Sequence, residues 1–593
     1  MKGERRGRGR LAGALAICLI YAMPVLARAA GASTPPAWQK LEGRVLDVLA
    51  RQNPVDASQA GLHDYDSRVP DYSAGSVRAR VRELKSLLRE AKAFPVARLS
   101  AETRLDRQLM LRELQMRLRV LEVERPWQKS PYFYANYLSS GVTILVINHY
   151  GAPDTLAAVL TARLKAFPRG LAQARANVLR PPHLLAYACA QTMHSLPEVW
   201  QQSLPALVEG ASADSKKRLN SAISEASDAI SAYLEAMGEA EEEHGNDDYP
   251  LGRANYDWRL KNVEGLDMTG AELAAQGDRW LAEMEAAIAN VDSLRKSRGL
   301  PALPLPPLKA PPDFTREQLM HAFVAAIDSV RRFTQASGLV TVPDFVGPMV
   351  PISTPQPMRA VVPGLAMFPP ATFDTSTVGT YLLGNSYPDS LTPQNRDRFY
   401  SDMVRMRLVG GSVHEGFPGH HLQLSIAKHE NSRMRRWTNS TTMVEGWAFY
   451  CEELAARAGI YGPDSLEYLA RVLQGMKFRA CRVIVDARIH TGVMTYEQAV
   501  KFMRDHNTTF DSLRASGEVL RYVTEPTQAM SYLVGKSLIL GLRREVEQRE
   551  GADFSPRKFH DKFLTYGSIP VPWIARAWIG HVPKLGRWNL GRY

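Results

Sequence analysis

Three histidines and two glutamates in the C-terminal third of the chain could form a metal centre that activates water. In the segment VHEGFPGHHLQL, His414 directly precedes Glu415, and His420 and His421 follow as a pair. Glu445 comes later, in the helical pattern MVEGWAFYCEELAARA. A hydrolytic zinc site needs three protein ligands, an open fourth position and a base for the proton of the bound water. The sequence therefore predicts one zinc ion held by His414, a later histidine and Glu445, with Glu415 as general base.

The spacing of the histidines departs from the usual zinc motif. Pro418 stands four positions after His414, so the strict pattern His-Glu-x-x-His does not occur. On an undistorted helix His421 would lie about 10 Å along the axis from His414, too far to share an ion. We expect the helix to bulge or restart at Pro418-Gly419, where two looped-out residues would bring His420 into phase and three would bring His421. We favour His420 as the ligand, and His421 is the alternative.

Three segments of the chain resemble one known family. The segments HEGFPGHHLQ (414–423), VEGWAFY (444–450) and RYVTEPTQAMSY (521–532) are similar to signatures of the bacterial "domain of unknown function" 885 family. The third segment departs from the family pattern, because Thr527 stands where the family has glycine. The family in turn resembles zincin peptidases whose third ligand is a glutamate, such as angiotensin-converting enzyme and the carboxypeptidases related to it. The resemblance implies a mainly α, zincin-like body with a deep cleft and a peptidase-type reaction, but no single substrate.

The third segment and the helix after it offer residues for catalysis and substrate binding. Hydrolysis of an amide develops an oxyanion, which needs a hydrogen-bond donor beside the metal. Tyr532 and His560 are the predicted donors. Gln528 and Lys536, one helical turn on either side of Tyr532, and Arg521 are the predicted substrate-binding residues.

Ordinary structural roles compete with some of these predictions. His560 could form a surface pair with Asp561, and Arg521 could pair with Glu518 or Glu525 instead of a substrate carboxylate. A tyrosine on an apolar helix is often a core residue whose hydroxyl is already satisfied.

Residues 1–29 have the pattern of a targeting segment. A basic start precedes an apolar run that ends in Ala-Arg-Ala, the small-residue pattern of a cleavage site. We predict a signal peptide and a periplasmic or secreted protein, which would meet the membrane only through this segment. An uncleaved anchor is the alternative. Cys18 follows Ile17, a poor fit to a lipoprotein attachment site, which needs a small residue there.

The remainder of the chain is predicted to be mainly α-helical. Leu, Val, Ala and Met recur at spacings of three and four over residues 77–123, 215–243 and 271–297. We predict an N-terminal helical region over 30–300 and a C-terminal helical region with the metal site over 396–593.

The prolines mark the middle of the chain as irregular. Residues 299–313 read GLPALPLPPLKAPPD, which no helix can accommodate, and residues 339–395 combine prolines with β-branched and aromatic residues. We predict a Pro-rich irregular insert with small strands over 301–395.

Composition excludes several classes of protein. The 593 residues are 45% hydrophobic and 23% charged, which rules out a disordered or collagenous chain. A mean hydropathy of −0.24 rules out a polytopic membrane protein. The net charge of +12 falls to about +7 without residues 1–29, a mild bias without a basic-aromatic stripe, so we predict no nucleic-acid partner. Four scattered cysteines predict buried thiols, or at most one bridge.

The sequence thus predicts an exported zinc-dependent peptidase with a peptide or small amide as substrate. Two alternatives remain at this point: a metal-dependent hydrolase of non-peptide amides or esters, and a non-catalytic helical envelope protein. Manganese or cobalt could occupy the same ligands as zinc. The oligomeric state is not predicted.

Overall fold

The computed structural model describes most of the chain beyond the predicted targeting segment. The described residues are 35–301, 307–312, 314–354, 365–383, 393–462, 465–507, 510–586 and 588. The predicted signal peptide over 1–29, with Cys18, lies outside them.

Helices make up most of the described part of the chain before residue 338. Their bounds are α1 Pro36–Gln52, α2 Pro54–Gln59, α3 Ala74–Ala93, α4 Ala101–Arg119, α5 Pro126–Lys129, α6 Pro131–Asn148, α7 Pro153–Lys165, α8 Phe167–Asn177, α9 His183–Met193, α10 Leu196–Leu207, α11 Ala213–His244, α12 Arg253–Arg259, α13 Gly270–Ser297 and α14 Arg316–Ser337. The amphipathic segments predicted from the sequence correspond to α3, α4, α11 and α13.

A small sheet follows α14. Strands β1 Met349–Ile352 and β3 Gly379–Leu382 run parallel, and β2 Ala366–Phe368 pairs antiparallel with β3 on its other side. The predicted insert over 301–395 therefore contains these strands, but it also contains the 22-residue helix α14. Thr315 and Gln318 form a capping box at the start of α14, which explains why a regular helix begins so soon after the proline run.

The chain after the sheet is helical again. The bounds are α15 Pro393–Asp402, α16 Ser412–Glu415, α17 His420–Lys428, α18 Arg433–Trp437, α19 Thr441–Arg457, α20 Ser465–His490, α21 Tyr496–His506, α22 Ser512–Thr524, α23 Ser531–Glu550, α24 Pro556–Leu564 and α25 Val571–Ile579. A π-helical segment, Met403–Gly411, joins α15 to α16. The mainly α fold class predicted from the sequence is confirmed.

Two large hydrophobic cores organise the described helices. One surrounds Trp38 and joins α1, α3, α4 and α6 to α11. The other surrounds Trp280 and Trp447 and joins α13 to helices α19 to α25. A Cβ atom on Gly277 of α13 would lie 2.7 Å from Ile484 Cγ1 of α20, so these two helices are in close contact. Helix α13 thus packs with the C-terminal half, and the cores do not divide at residue 300.

Two further properties bear on the predictions from composition. Cys189, Cys451 and Cys481 are buried free thiols, as the scattered cysteines predict. Among the described helices, none has both the length and the apolar character needed to span a bilayer.

Candidate metal centre

The helix that carries His414 stops and restarts before His420. Helix α16 ends at Glu415, and α17 begins at His420 after a four-residue loop. Gly419 allows the restart, because a Cβ atom there would lie 1.9 Å from the His414 carbonyl oxygen. Trp447 of α19 donates its indole N–H to the Pro418 carbonyl at 2.8 Å and holds the loop against α19. The predicted interruption at Pro418-Gly419 is therefore present.

His414, His420 and Glu445 converge on one point. The Glu445 Oε2 atom lies 3.5 Å from His414 Nε2 and 3.4 Å from His420 Nε2. The donor atoms of all three residues lie within 4.8 Å of one another. Ligand atoms placed about 2.0–2.1 Å from a tetrahedral zinc ion are separated by about 3.4 Å, so the spacing fits such an ion.

Two polar atoms at this point are buried without a hydrogen bond. Glu445 Oε2 and His420 Nδ1 are buried and make no hydrogen bond in the described structure. Buried polar atoms are nearly always satisfied, and an ion is one way to satisfy the carboxylate oxygen. Two imidazoles and one carboxylate are a donor set that suits a divalent transition metal. These residues therefore fit zinc.

His421 does not join this cluster. Its side chain is fully buried, and its Nε2–H donates to the Gly347 carbonyl at 3.0 Å, just before β1. A Cβ atom on Gly379 at the start of β3 would lie 2.4 Å from His421 Nδ1, so the sheet packs directly on the ring. Of the two histidines weighed as ligands, the structure thus brings His420 to the cluster and directs His421 towards the sheet.

Glu452 orients His414. The His414 Nδ1–H donates to Glu452 Oε1 at 2.8 Å, which leaves the Nε2 lone pair facing Glu445. A carboxylate behind a ligand histidine fixes its tautomer and raises its basicity. Burial alone would lower the pKa of His414, but Glu445 and Glu452 raise it to about 10 in the metal-free protein. Burial opposes ionisation of Glu445 as well, yet His414 and His420 hold its pKa well below the usual range.

Glu415 lies beside the cluster without joining it. Burial raises the pKa of Glu415, and the neighbouring rings of His414 and His420 offset part of this rise. The Glu415 carboxylate therefore interacts electrostatically with both candidate ligand histidines. A carboxylate with an upward-shifted pKa near the ligands has the properties of a base that accepts and later returns a proton.

Tyr532 presents its ring to the cluster from the start of α23. Its ring is nearly parallel to that of His414, with the centroids 6.5 Å apart. The guanidinium of Arg482 lies 4.1 Å from the centre of the Tyr532 ring. Burial and the charge of Glu445 raise the pKa of Tyr532, so its hydroxyl keeps its proton at neutral pH. Tyr532 is thus a neutral hydrogen-bond donor next to the ligands.

Gln528 and Arg521 support this side of the cluster. The Gln528 Oε1 atom accepts hydrogen bonds from Arg521 at 2.9 Å and from Arg482 at 3.3 Å, and its amide reaches towards the Tyr532 hydroxyl at 3.5 Å. Arg521 also pairs with Glu518 at 2.9 Å, one of the alternatives open from the sequence. Both predicted substrate-binding residues therefore have partners within the protein, and Gln528 tethers two arginines to the tyrosine.

Two predicted site residues need correction. Lys536 is fully buried, and its Nζ lies 2.7 Å from Glu453 Oε2, so its charge is already paired and it is not a substrate anchor.

His560 is also fully buried. Its Nδ1–H donates to the Leu339 carbonyl, and its Nε2 accepts from the Tyr450 hydroxyl, both at 2.7 Å. With both nitrogens engaged, His560 is neither an oxyanion donor nor a surface partner of Asp561. Burial lowers its pKa to about 4.

Glu452 and two arginines near the cluster were not predicted from the sequence. Glu452 follows Glu445 by seven residues, which puts both carboxylates on one face of α19, so helical periodicity contained this signal. Arg479 and Arg482 on α20 carried no comparable signal. They approach the cluster only because α20 packs beside α19 and α23, and Arg479 lies 3.7 Å from Glu452.

Two glycines bring the helices of the site together. A Cβ atom on Gly446, next to Glu445, would lie 2.6 Å from the Cα of Gly535 on α23. A Cβ atom on Gly535 would lie 2.1 Å from the Thr442 carbonyl oxygen. Helices α19 and α23 therefore meet backbone to backbone, one residue from a candidate ligand.

Comparison with known proteins defines the family. The model of the bacterial proteins of unknown function DUF885 matches residues 54–577, and the chain belongs to this family. No curated protein matches the chain.

Two solved structures share the fold. A candidate lipoprotein of unknown function from Shewanella oneidensis is 20% identical, with 91% of this chain and 99% of that chain covered and a TM-score of 0.72. A candidate lipoprotein from Colwellia psychrerythraea is 19% identical, with 91% and 98% covered and a TM-score of 0.71. At this level of identity the likeness concerns the fold alone.

Proposed function

We propose that the protein is an exported, zinc-dependent hydrolase of peptides. The observation that carries this proposal is the convergence of His414, His420 and Glu445 around a buried carboxylate oxygen that has no hydrogen-bond partner. Three protein ligands leave one position of a tetrahedral ion open, which is the arrangement of catalytic rather than structural zinc sites.

The reaction needs groups for proton transfer and charge stabilisation beside the ion. When bound, the ion would polarise a substrate carbonyl and make a water molecule more acidic. Glu415 takes a proton from the attacking water and returns it to the leaving amine. Glu452 holds His414 in the tautomer whose Nε2 lone pair is free.

Tyr532 supplies a hydrogen bond to the developing oxyanion. Its hydroxyl keeps its proton because burial and Glu445 raise its pKa. The stacked Arg482 adds positive charge behind the ring, and Gln528 limits movement of the hydroxyl. A donor placed in advance costs no reorganisation during the reaction.

The substrate class and the location rest on resemblance. The zincin peptidases with a glutamate as third ligand act through the same set of groups, and the deep cleft that the resemblance implies favours peptides over folded proteins. The predicted signal peptide supports export, and the description of both similar structures as candidate lipoproteins agrees with a place in the cell envelope.

The experiment combines metal analysis with a substrate screen. The full chain, exported by a bacterial host and purified without chelator, should contain about one zinc ion per molecule. It is incubated with a diverse peptide mixture, and new termini are mapped by mass spectrometry. Glu415→Gln should keep the zinc and lose at least about 100-fold in turnover, while Glu239→Gln, exposed on α11, should match the wild type.

Other outcomes would decide between the alternatives. A stable protein that carries no metal would favour a non-catalytic envelope protein. Cleavage of esters or non-peptide amides, without any peptide product, would favour the second class of hydrolase. Full activity of Glu415→Gln would reject the assignment of the base.

A further inference from the structure

A cavity with a charged and partly apolar lining lies between the N-terminal helices and the C-terminal half. It has a volume of about 570 Å³, within the range of small-molecule sites. Helices α2, α3, α4 and α6 form one wall, and α17, α18 and the segment after β2 form the other. His414, His420 and Glu445 do not line it. The cavity is therefore separate from the candidate metal centre.

The described lining of this cavity is strongly basic. Only two carboxylates, those of Asp56 and Glu113, belong to it. Six of its side chains are cationic, namely Arg80, Arg112, Arg117, Lys428, Arg435 and Arg436.

Some of these cations are neutralised inside the protein. Arg117 pairs with Glu113 at 2.7 Å and with Asp56 at 2.9 Å. Arg435 pairs with Asp106 at 2.7 Å. The two lining carboxylates are thus already engaged with Arg117.

Arg80, Lys428 and Arg436 have a different environment. Within the described residues, no carboxylate lies within 4.0 Å of their charged groups, and their hydrogen bonds go only to neutral oxygens. Arg80 donates to the side chain and carbonyl of Gln52. Arg436 donates to the carbonyl of Thr372. A buried charge without a counter-charge is costly, so such a charge calls for an anion.

Lys428 and Arg80 are both buried at the wall of the cavity. The Lys428 Nζ donates to three backbone carbonyls at 2.6 to 2.7 Å, which hold the ammonium at the wall, and the charge of Asp374 offsets its own only in part. Arg80 is only 9% exposed, and its Nη1 has no hydrogen-bond partner. Its guanidinium lies 4.8 Å from the centre of the Tyr72 ring.

The lining also includes flat and apolar surface. Tyr72, Phe133, Tyr137 and Trp437 are the aromatic residues among the described lining. A volume of this size exceeds what an inorganic anion needs. The combination suits an organic molecule with an anionic group at one end and an aromatic or apolar body.

We propose that this cavity binds an organic anion, namely a carboxylate, sulfonate or phosphate ester with an aromatic or apolar body. Arg80 and Arg436 donate to the anionic group, the charge of Lys428 attracts it without a hydrogen bond, and the body lies against the aromatic residues. One helix, α17, runs from the candidate ligand His420 to Lys428, so the anion site and the metal centre share a structural element.

The test uses a probe that differs from its control only in charge. Naphthalene-2-sulfonate and the neutral 2-naphthalenemethanol are titrated into the full, metal-loaded chain by calorimetry. We expect one saturable site for the sulfonate, no binding of the alcohol, and displacement of the sulfonate by excess inorganic phosphate. No binding of the sulfonate, or binding that phosphate leaves unchanged, would overturn the proposal.

Substitutions locate the bound probe. Arg80→Gln and Arg436→Gln should each weaken sulfonate binding at least tenfold, whereas Arg89→Gln, exposed on α3 outside the cavity, should leave it unchanged. If Arg80→Gln does not fold, the partly exposed Arg436 decides alone. Equal affinity in the wild type and Arg436→Gln would show that the probe binds elsewhere and would reject the site.

Discussion

His420 and His421 are neighbours in the chain, but their rings face different parts of the molecule. The His420 Nε2 atom lies 3.4 Å from Glu445 Oε2, whereas the His421 Nε2–H donates to the Gly347 carbonyl at 3.0 Å. Successive residues at the start of a helix point about 100° apart, so one of the pair can face the cluster while the other supports the sheet. The two histidines should therefore respond differently to the same substitution.

His420→Ala and His421→Ala form a matched pair. We expect His420→Ala to weaken zinc binding by more than about 100-fold, because it removes a ligand and not only a supporting hydrogen bond. His421→Ala should bind zinc almost as the wild type does, but lower the free energy of unfolding by about 2–4 kcal/mol through loss of a buried ring. Competition with a chromophoric chelator and urea unfolding measure the two effects. Equal loss of zinc in both variants would reject the assignment.

Glu452→Gln tests the residue behind His414. The substitution keeps the size of the side chain but removes the charge that fixes the Nδ1–H of His414. We expect zinc affinity to fall by about 10- to 100-fold while the far-ultraviolet circular dichroism stays unchanged. Glu239→Gln on α11 serves as the control. An unchanged zinc affinity would mean that Glu452 does not support the ligand.

Thr527→Gly should stabilise the protein. Thr527 has a φ angle of 72°, a left-handed conformation that strains a β-branched residue by about 1–3 kcal/mol. Glycine adopts this conformation without strain. It is also more flexible in the unfolded chain, and this lowers the net stabilisation by about 1 kcal/mol. We expect the free energy of unfolding to rise by about 1 kcal/mol in urea titrations.

The control for this prediction is Thr524→Gly. Thr524 is the last residue of α22, so glycine there should destabilise the protein. A loss of stability in Thr527→Gly as well would contradict the argument from strain.

The buried His560 should make stability depend on pH. Burial lowers its pKa from 6.5 to about 4 in the folded state. Between these values the unfolded chain binds a proton that the folded protein does not, so acidification from pH 6.5 to pH 4 removes stability. For this one group the loss amounts to about 3 kcal/mol.

His560→Gln removes this titration. The variant should be less stable than the wild type at pH 7, and the difference should shrink by about 3 kcal/mol on going to pH 4. Urea unfolding in the presence of a chelator gives both values, since the metal ligands then titrate alike in the two proteins. Exposed His321 provides the control, His321→Gln. A pH-independent difference would contradict burial as the cause.

The candidate ligands could be identified from the sequence, but most of the residues that support them could not. His414 and Glu445 could be named as candidate ligands because a His-Glu pair and a later helical glutamate match the donor set of a zinc site, and the Pro418-Gly419 interruption explained how His420 comes beside them. The direction of His421 depended on Gly347, which lies 74 residues away in the chain. No local pattern could indicate that contact.

Contacts between distant parts of the chain also explain why the predictions for Lys536 and His560 needed correction. Lys536 and His560 looked available because their partners, Glu453 and Tyr450, reach them only through the packing of α19 against α23 and α24. Helical periodicity was enough to predict the mainly α class. Helix α14 was not predicted because the prolines before it indicated irregular structure, although its capping box is visible in the sequence.

The contact between Gly446 and Gly535 sets the spacing of two helices at the candidate metal centre. Glu445 and Tyr532 belong to different helices, and those helices approach too closely at this contact for a Cβ atom on either glycine. A methyl group added at either glycine would move the Glu445 carboxylate away from the Tyr532 phenol, although neither of those residues would change. The distance from Tyr532 to Glu445 therefore depends on two positions that have no side chain, Gly446 and Gly535.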